Sequence, residues 1–283
     1  MSALFQLGGN MRRSWYVAFL LVPVLAVMLF LVLPMVVSIL PTFTRPTFGL
    51  GNYLRFFADE FNRRILYRSL RLSLITTLGC VILGLPTSYY LSMLDERRRQ
   101  ILHSVILFPL LTNAVVRGFA WIAILGRNGL LNSLLSRLHL VQAPVQMLYT
   151  EGAIVIGSIY LFLPVMVSTL VPVMERIGSE TVEAAETLGA PPMATFFKVV
   201  VPMSFSGVLI AAVMVFAGTI SAYTTPTLLG GSKNMMLATL LYQQSDTLAN
   251  WDAASLLSCV MILCSLGVMK LFDVVAARLD KRG

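Results

Sequence analysis

Charge, cysteine and histidine are all scarce in this chain of 283 residues, and each shortage closes off a class of protein. Charged residues make up 12% of the chain, where a soluble domain carries about 25%. Hydrophobic residues make up 57% and the mean hydropathy is +0.82, so the chain reads as an integral membrane protein. Cys80, Cys259 and Cys264 lie in apolar stretches with no Cys-x-x-Cys pair and no nearby histidine, and read as packing residues. His103 and His139 are far apart and lack ligand-type neighbours, so no metal site is expected. No nucleophile and base stand at a usable spacing, and no Gly-x-x-x-x-Gly-Lys-Ser/Thr phosphate loop occurs. Gly230-Gly231-Ser232-Lys233 lacks the end of that motif and reads as a turn. The chain itself is expected to catalyse nothing and to bind no cofactor.

What is present is apolar sequence in long runs. A helix needs about 20 mostly apolar residues to cross the hydrocarbon core of a bilayer. Six runs qualify, at about 16–40, 70–93, 101–125, 153–175, 204–229 and 254–272. They fill the chain, so residues 1–283 read as one all-α membrane domain of six transmembrane helices. The first run follows Arg12-Arg13 but extends from Tyr16 through Leu40 with Pro34 inside it, which is too long for a secretory signal. Ser-Trp-Tyr and a very apolar span after the arginine pair also argue against twin-arginine export. The net charge of +8 would suggest nucleic acid in a soluble protein, but here the basic residues flank spans and reflect topology. If the chain starts inside, Arg12, Arg13, Arg97, Arg98, Arg99, Arg278, Lys281 and Arg282 share the inner side. Arg55, Arg63, Arg64, Arg68 and Arg71 then lie outside, so the bias is imperfect.

Between the spans, the stretch 41–69 holds Pro41, Pro46, Gly49 and Gly51, then an amphipathic segment at 52–57 that suits the membrane interface. Residues 126–152 open on Gly126-Arg127-Asn128-Gly129 and break at Pro144, which predicts a short lateral helix shaping a vestibule or lid. The loop 230–252 ends at Trp251, whose indole fits the headgroup belt. Pro23, Pro34, Pro86, Pro109, Pro164 and Pro226 sit inside spans, where each removes a backbone hydrogen bond and favours a kink.

Residues 179–202 are the long stretch between spans that reads as a structured soluble element. Ser179 can cap a helix, with Glu180, Glu183 and Glu186 toward the positive end of its dipole. Gly189 supplies the positive φ that ends it. Pro191 and Pro192 suit the turn and first position of a second short helix carrying Phe196, Phe197 and Lys198. Ala184 and Ala185 hold no partner away, and the Glu183 carboxylate beside them can accept a charge-assisted hydrogen bond. The element reads as a docking surface for another protein.

Glu183-Ala184-Ala185, Gly189 and Pro202 resemble the EAA loop of permease subunits of ATP-binding-cassette importers, the segment that enters a groove on the ATPase. Further stretches resemble the spermidine and putrescine branch of these permeases and span most of the chain. They include Gly51-Asn52-Tyr53, Leu83-Gly84-Leu85-Pro86, Phe108-Pro109, Gly129-Leu130-Leu131-Asn132, Leu161-Phe162-Leu163-Pro164, Leu228-Leu229-Gly230-Gly231 and Asn250-Trp251. The resemblance implies a type I importer permease fold in the bacterial inner membrane, with the EAA loop at 176–203 and both termini cytoplasmic. It implies a cytoplasmic ATPase dimer that uses ATP and Mg, a second permease that is a different chain, and a periplasmic substrate-binding protein. Glu183, Ala184, Ala185 and Gly189 are then the ATPase-coupling residues. The solute would be a small amine of polyamine type; relatives carrying amino acid derivatives, phosphonates or iron keep those open as alternatives.

Every acidic residue falls in a loop or at a span end, so a cation in transit would depend on aromatic or hydroxyl groups or on the second subunit. Arg117 is the one charge away from the ends of a span, and two readings stand open for it: it lines the path, or it bonds to backbone carbonyls at a helix or subunit interface. Trp121 shares its helix face. Tyr160, Ser221, Tyr223, Thr224 and Thr225 complete the candidate path, each with packing or interfacial anchoring as the plainer role. A secondary transporter or channel working without an ATPase would be expected to show ion-coupling groups inside its spans, where only Arg117 qualifies.

Overall fold

A computed structural model describes residues 2–44 and 49–280, with the side chains of residues 2–18, 20, 179, 273 and 275–280 left out. The side chains of Ser179, expected to cap a helix, and of the topology-marking Arg12, Arg13 and Arg278 are therefore not described, and Lys281 and Arg282 lie outside the described residues.

The described secondary structure is helical throughout. The long elements are α1 (Ser2–Thr44), α3 (Glu60–Ser92), α7 (Glu151–Thr187), α10 (Phe205–Ser221) and α12 (Trp251–Asp280). Shorter ones are α2 (Gly51–Ala58), α4 (Glu96–Leu111), α5 (Ala114–Leu125), α6 (Leu130–Arg137), α8 (Pro192–Thr195), α9 (Val201–Met203) and α11 (Leu237–Tyr242). Five stretches are long and apolar enough to cross a membrane: Leu21–Thr44, Glu60–Ser92, Ala114–Arg137, Glu151–Gly178 and Trp251–Phe272. A sixth arises if Pro192–Met203 and Phe205–Ser221, bent by 71°, count as one.

The centre of the molecule is α7, packed between α3 and α10. Lipid tails are as apolar as leucine, so helices in a bilayer associate through close van der Waals contact, and small residues let backbones approach. Gly79 and Gly84 of α3 face Ile159 and Met166, and Gly207 and Gly218 of α10 face Val173 and Phe162. A Cβ at any of the four would come within 2.7 Å of its neighbour's side chain. Around these contacts Cys80, Met166, Leu170, Ala211 and Val215 are buried in one cluster, so Cys80 does pack as expected.

Polar contacts fix both ends of α7. At one end, the Arg68 and Arg71 guanidinium groups bind the Glu151 carboxylate, and Arg68 also donates to the carbonyl oxygen of Lys233 at 3.0 Å. At the other, Arg99 of α4 pairs with Glu175, and His103 meets the Ser168 hydroxyl at 2.9 Å. The short helix α2 is pinned by a 2.8 Å hydrogen bond between Tyr53 and Thr42. Burial pushes the Tyr53 phenol above its ordinary pKa, with its contact to Cys259 adding to the effect. The lateral helix α6 is tied down by Asn132, which donates to the Gly126 and Val145 carbonyls and accepts from the Val145 N–H.

Two expected spans are discontinuous. The run 101–125 breaks at Thr112–Asn113: Thr112 takes an extended backbone, and the Asn113 side chain accepts from the Val115 and Val116 N–H groups, starting α5 afresh. The run 204–229 ends its α-helix at Ser221 because Ala222 turns extended. It resumes as a π-helical turn at Pro226–Gly230, whose first residue has no N–H to give. Pro86 and Pro164 lie inside continuous helices.

Gly207→Val forces methyl groups against the stiff Val173 side chain. It is expected to destabilise the subunit by about 1–3 kcal/mol, measured as a lowered thermal midpoint of the detergent-solubilised protein.

Candidate functional site

At its far end α7 does not stop where its apolar run stops. Gly178, at φ 73° and ψ 152°, leaves helical geometry and redirects the chain, and a second helical segment runs from there to Thr187. The new helix start that sequence reasoning placed at Ser179 falls at this kink, while Gly178 itself was not singled out; a glycine just after the last apolar turn was the available signal.

The helix closes in a Schellman arrangement. The Ala190 N–H donates to Ala185 O at 3.1 Å and the Gly189 N–H to Glu186 O at 2.8 Å, with Gly189 at φ 87°. Pro191 is extended and Pro192 opens α8, whose first turn is held by the Ala194 and Thr195 N–H groups on Pro191 O. A π-helical turn at Phe196–Val200 then leads into α9.

One face of this turn is anchored. Val182, Val200 and Met174 are buried together against Tyr89 and Phe196. The other face is open: Glu183, Ala184 and Glu186 are exposed and Ala185 is half-buried. Beside them Leu188 is 89% exposed, Met193 69% and Phe197 59%. An apolar tip of this kind, rimmed by carboxylates on an otherwise well-anchored turn, has the character of a protein-binding surface. Sequence reasoning named Phe197 but missed Leu188 and Met193 as part of this tip.

The candidate path residues separate into distinct environments. Arg117 turns to the backbone at the α4–α5 break, donating to Pro109 O at 2.6 Å and Thr112 O at 3.3 Å. These are carbonyls that a helix end leaves without partners, so Arg117 acts as a bracket for the broken span. Among the described residues no carboxylate pairs with it. Trp121 and Tyr160 meet edge to face, ring centroids 5.6 Å apart. The Ser221 hydroxyl bonds to Ala217 O of its own helix. Thr225 is buried with its methyl facing Gly157, so it packs α7 against the π turn, and Thr224 is half-buried beside it. Tyr223, in the break after α10, stacks in parallel on Tyr242 of α11 with centroids 4.8 Å apart. No periodicity or motif marked Tyr242, because its partner lies in an irregular segment.

Among the described residues no group of histidine, cysteine, aspartate or glutamate could hold a metal ion. The architecture is a bundle of long apolar helices with an anchored turn exposed at one end. The chain belongs to the family of binding-protein-dependent transport system inner membrane components, which matches residues 4–282.

It is 30% identical over 238 residues to the spermidine/putrescine transport system permease protein PotB of Salmonella typhimurium, covering 84% of this chain and 82% of that protein. It is 29% identical to PotB of Haemophilus influenzae, covering 87% and 84% of the two chains. Against the molybdenum transport system permease protein ModB of Azotobacter vinelandii it is 29% identical, covering 76% and 93%. In fold it matches a chain of a bacterial alginate ABC transporter crystallised with a periplasmic protein, at TM-score 0.80 and 16% identity over 96% and 97% of the two chains. The fold is that of a type I ABC importer permease. The chain is the non-catalytic, multi-pass inner-membrane permease subunit of a binding-protein-dependent importer.

Arg117→Leu takes the guanidinium donor from the Thr112 carbonyl and leaves the Pro109 carbonyl with the Thr112 hydroxyl, which donates to it at 2.9 Å. A loss of about 1–3 kcal/mol in stability is expected, read from the thermal midpoint, with Arg117→Lys recovering part of it.

Proposed function

We propose that this permease carries a small amine-bearing solute of polyamine type, by alternating access driven from a cytoplasmic ATPase dimer. A periplasmic binding protein delivers the solute, and the second permease is a different chain. Similarity to PotB over most of the chain supports the amine. The observation that carries the coupling reading is the anchored turn with its exposed Glu183, Ala184, Leu188, Met193 and Phe197.

In this reading both termini and the 176–203 turn face the cytoplasm. ATP binding by the ATPase pair, with its Mg, draws the turns of the two permeases together and opens the path outward; hydrolysis resets it. Glu183 offers a carboxylate to the ATPase, Ala184 and Ala185 permit close approach, and Gly189 fixes the angle between α7 and α8. Movement of the turn reaches the path through α7 itself, whose helix also carries Tyr160. Arg117 supports the path as a bracket, while Trp121, Tyr160 and Tyr223 face the solute and Ser221, Thr224 and Thr225 shape the break beside it.

A second reading keeps the importer and changes the solute to an anion such as a phosphonate. It is favoured by the match to a molybdenum transport system permease.

The experiment is the ATPase activity of the reconstituted complex, with spermidine, putrescine and phosphonates delivered by the binding protein. Stimulation by one of the amines is expected, and stimulation by phosphonate alone would move the solute to the second reading. Gly189→Val places a β-branched residue at positive φ, a strain of about 1–2 kcal/mol, while nothing lies within 4 Å of the added Cβ. It should insert normally and lose most of the stimulation, as should Glu183→Arg; full stimulation in both variants would remove the coupling role of the turn.

A further inference from the structure

We infer that Tyr242 is a specificity residue of this transporter: stacked on Tyr223, it closes the outer part of the path and reads the ammonium group of the solute with its ring face. The inference rests on the amine reading above and extends it to an element that neither the sequence pattern nor the family match singled out.

Both tyrosines sit where helix geometry gives way. Tyr223 follows the extended Ala222 and precedes the π turn Pro226–Gly230, while Tyr242 ends α11 and is followed at once by a second π turn, Gln243–Thr247. π turns are rare and concentrate at functional sites. Irregular backbone at membrane depth is tolerated where it is buried in protein or lines a watery cavity. Tyr223 and Tyr242 remain 44% and 43% exposed in the single chain, so neither is buried within it.

Depth follows from the α7–α10 packing. Thr225 and Leu229 lie against Gly157, and Gly218 lies against Phe162, so Tyr223 falls between those levels, beside that of Tyr160. This is roughly 13 Å along the α7 axis from Glu151 at 1.5 Å per residue. Trp121, in contact with Tyr160, belongs to the same layer. Four aromatic rings on four segments thus share one level of the membrane. Among the described residues neither aromatic pair takes part in an ion pair, and the carboxylate nearest to Tyr242 in the chain is Asp246, which accepts at 3.0 Å from the Ser245 hydroxyl that also bonds to Tyr242 O. A cation at that level would be held by π faces, which attract an ammonium within about 6 Å of a ring centroid. The parallel stack, at 4.8 Å, leaves no room for a cation between the rings. It is the closed arrangement; parting the two segments at their π turns gives the cation two faces.

The test uses the assembled transporter. Radiolabelled spermidine and putrescine uptake by wild-type proteoliposomes, with binding protein and ATP, is measured first. Equilibrium binding of spermidine to the solubilised complex without binding protein is then compared for wild type, Tyr242→Phe, Tyr242→Trp and Tyr242→Leu. Phe and Trp are expected to hold Kd within about threefold and Leu to raise it about tenfold, the range of a desolvated cation–π contact. Recovery of the ATPase with each variant permease is the folding control. If the Leu variant does not assemble, Tyr223→Leu removes the other ring and carries the same expectation.

A wild type that carries amines but binds none as the solubilised complex, or a Leu variant with wild-type Kd, overturns the Tyr242 role and leaves the amine reading standing. Equal losses in Phe, Trp and Leu also overturn it. A wild type that takes up neither amine removes the amine reading, and this inference with it.

Discussion

The rest of the structure depends on how closely α7 packs against α3 and α10. In a bilayer no hydrophobic gain separates buried apolar surface from lipid-facing surface, so the association must come from contact at short range. Glycines supply it: Gly79 and Gly84 on one side of α7 and Gly207 and Gly218 on the other receive its large side chains. Ion pairs at its two ends then fix its register, with Glu151 between two arginines and Glu175 on Arg99. Residues 151–177 are thereby held as one packed helix up to the kink at Gly178.

Regular helix gives way in three places that matter for function. Gly178 swings the end of α7 away from its apolar run, and Gly189 closes the exposed turn. Thr112–Asn113 splits a span and is stitched by Asn113 and Arg117. Ala222–Tyr223 splits another and leaves Tyr223 free to stack on Tyr242. The two breaks inside spans free backbone groups that a membrane cannot solvate. Asn113 and Arg117 satisfy groups at one, and at the other the Thr227 N–H and hydroxyl bond to Tyr223 O, with half-exposed rings beside it.

Much of this was legible in the amino-acid order, and what was not has physical reasons. Long apolar runs gave the membrane class because hydropathy acts over about 20 residues at once. The Gly189 turn was readable because few residues accept positive φ, and Pro191-Pro192 punctuates the next helix. The split at Thr112–Asn113 was hidden because both halves are apolar, and an asparagine cap looks like any polar residue until its N–H partners are known. Arg117 left two readings open that only its distances to Pro109 O and Thr112 O separate. Tyr242 was invisible because stacking between two irregular segments leaves no periodic trace. Leu188 and Met193 carried no signal of their exposure, because apolar residues in a short turn show no period that tells an inward from an outward face.

The account places the exposed tip of that turn against an ATPase in the cytoplasm. A photo-crosslinking amino acid at Leu188, irradiated in intact cells, measures this directly. The account predicts a single dominant adduct with the ATPase subunit, lost when Glu183 is reversed to arginine. An adduct with a periplasmic protein, or insertion without any ATPase adduct, would contradict it.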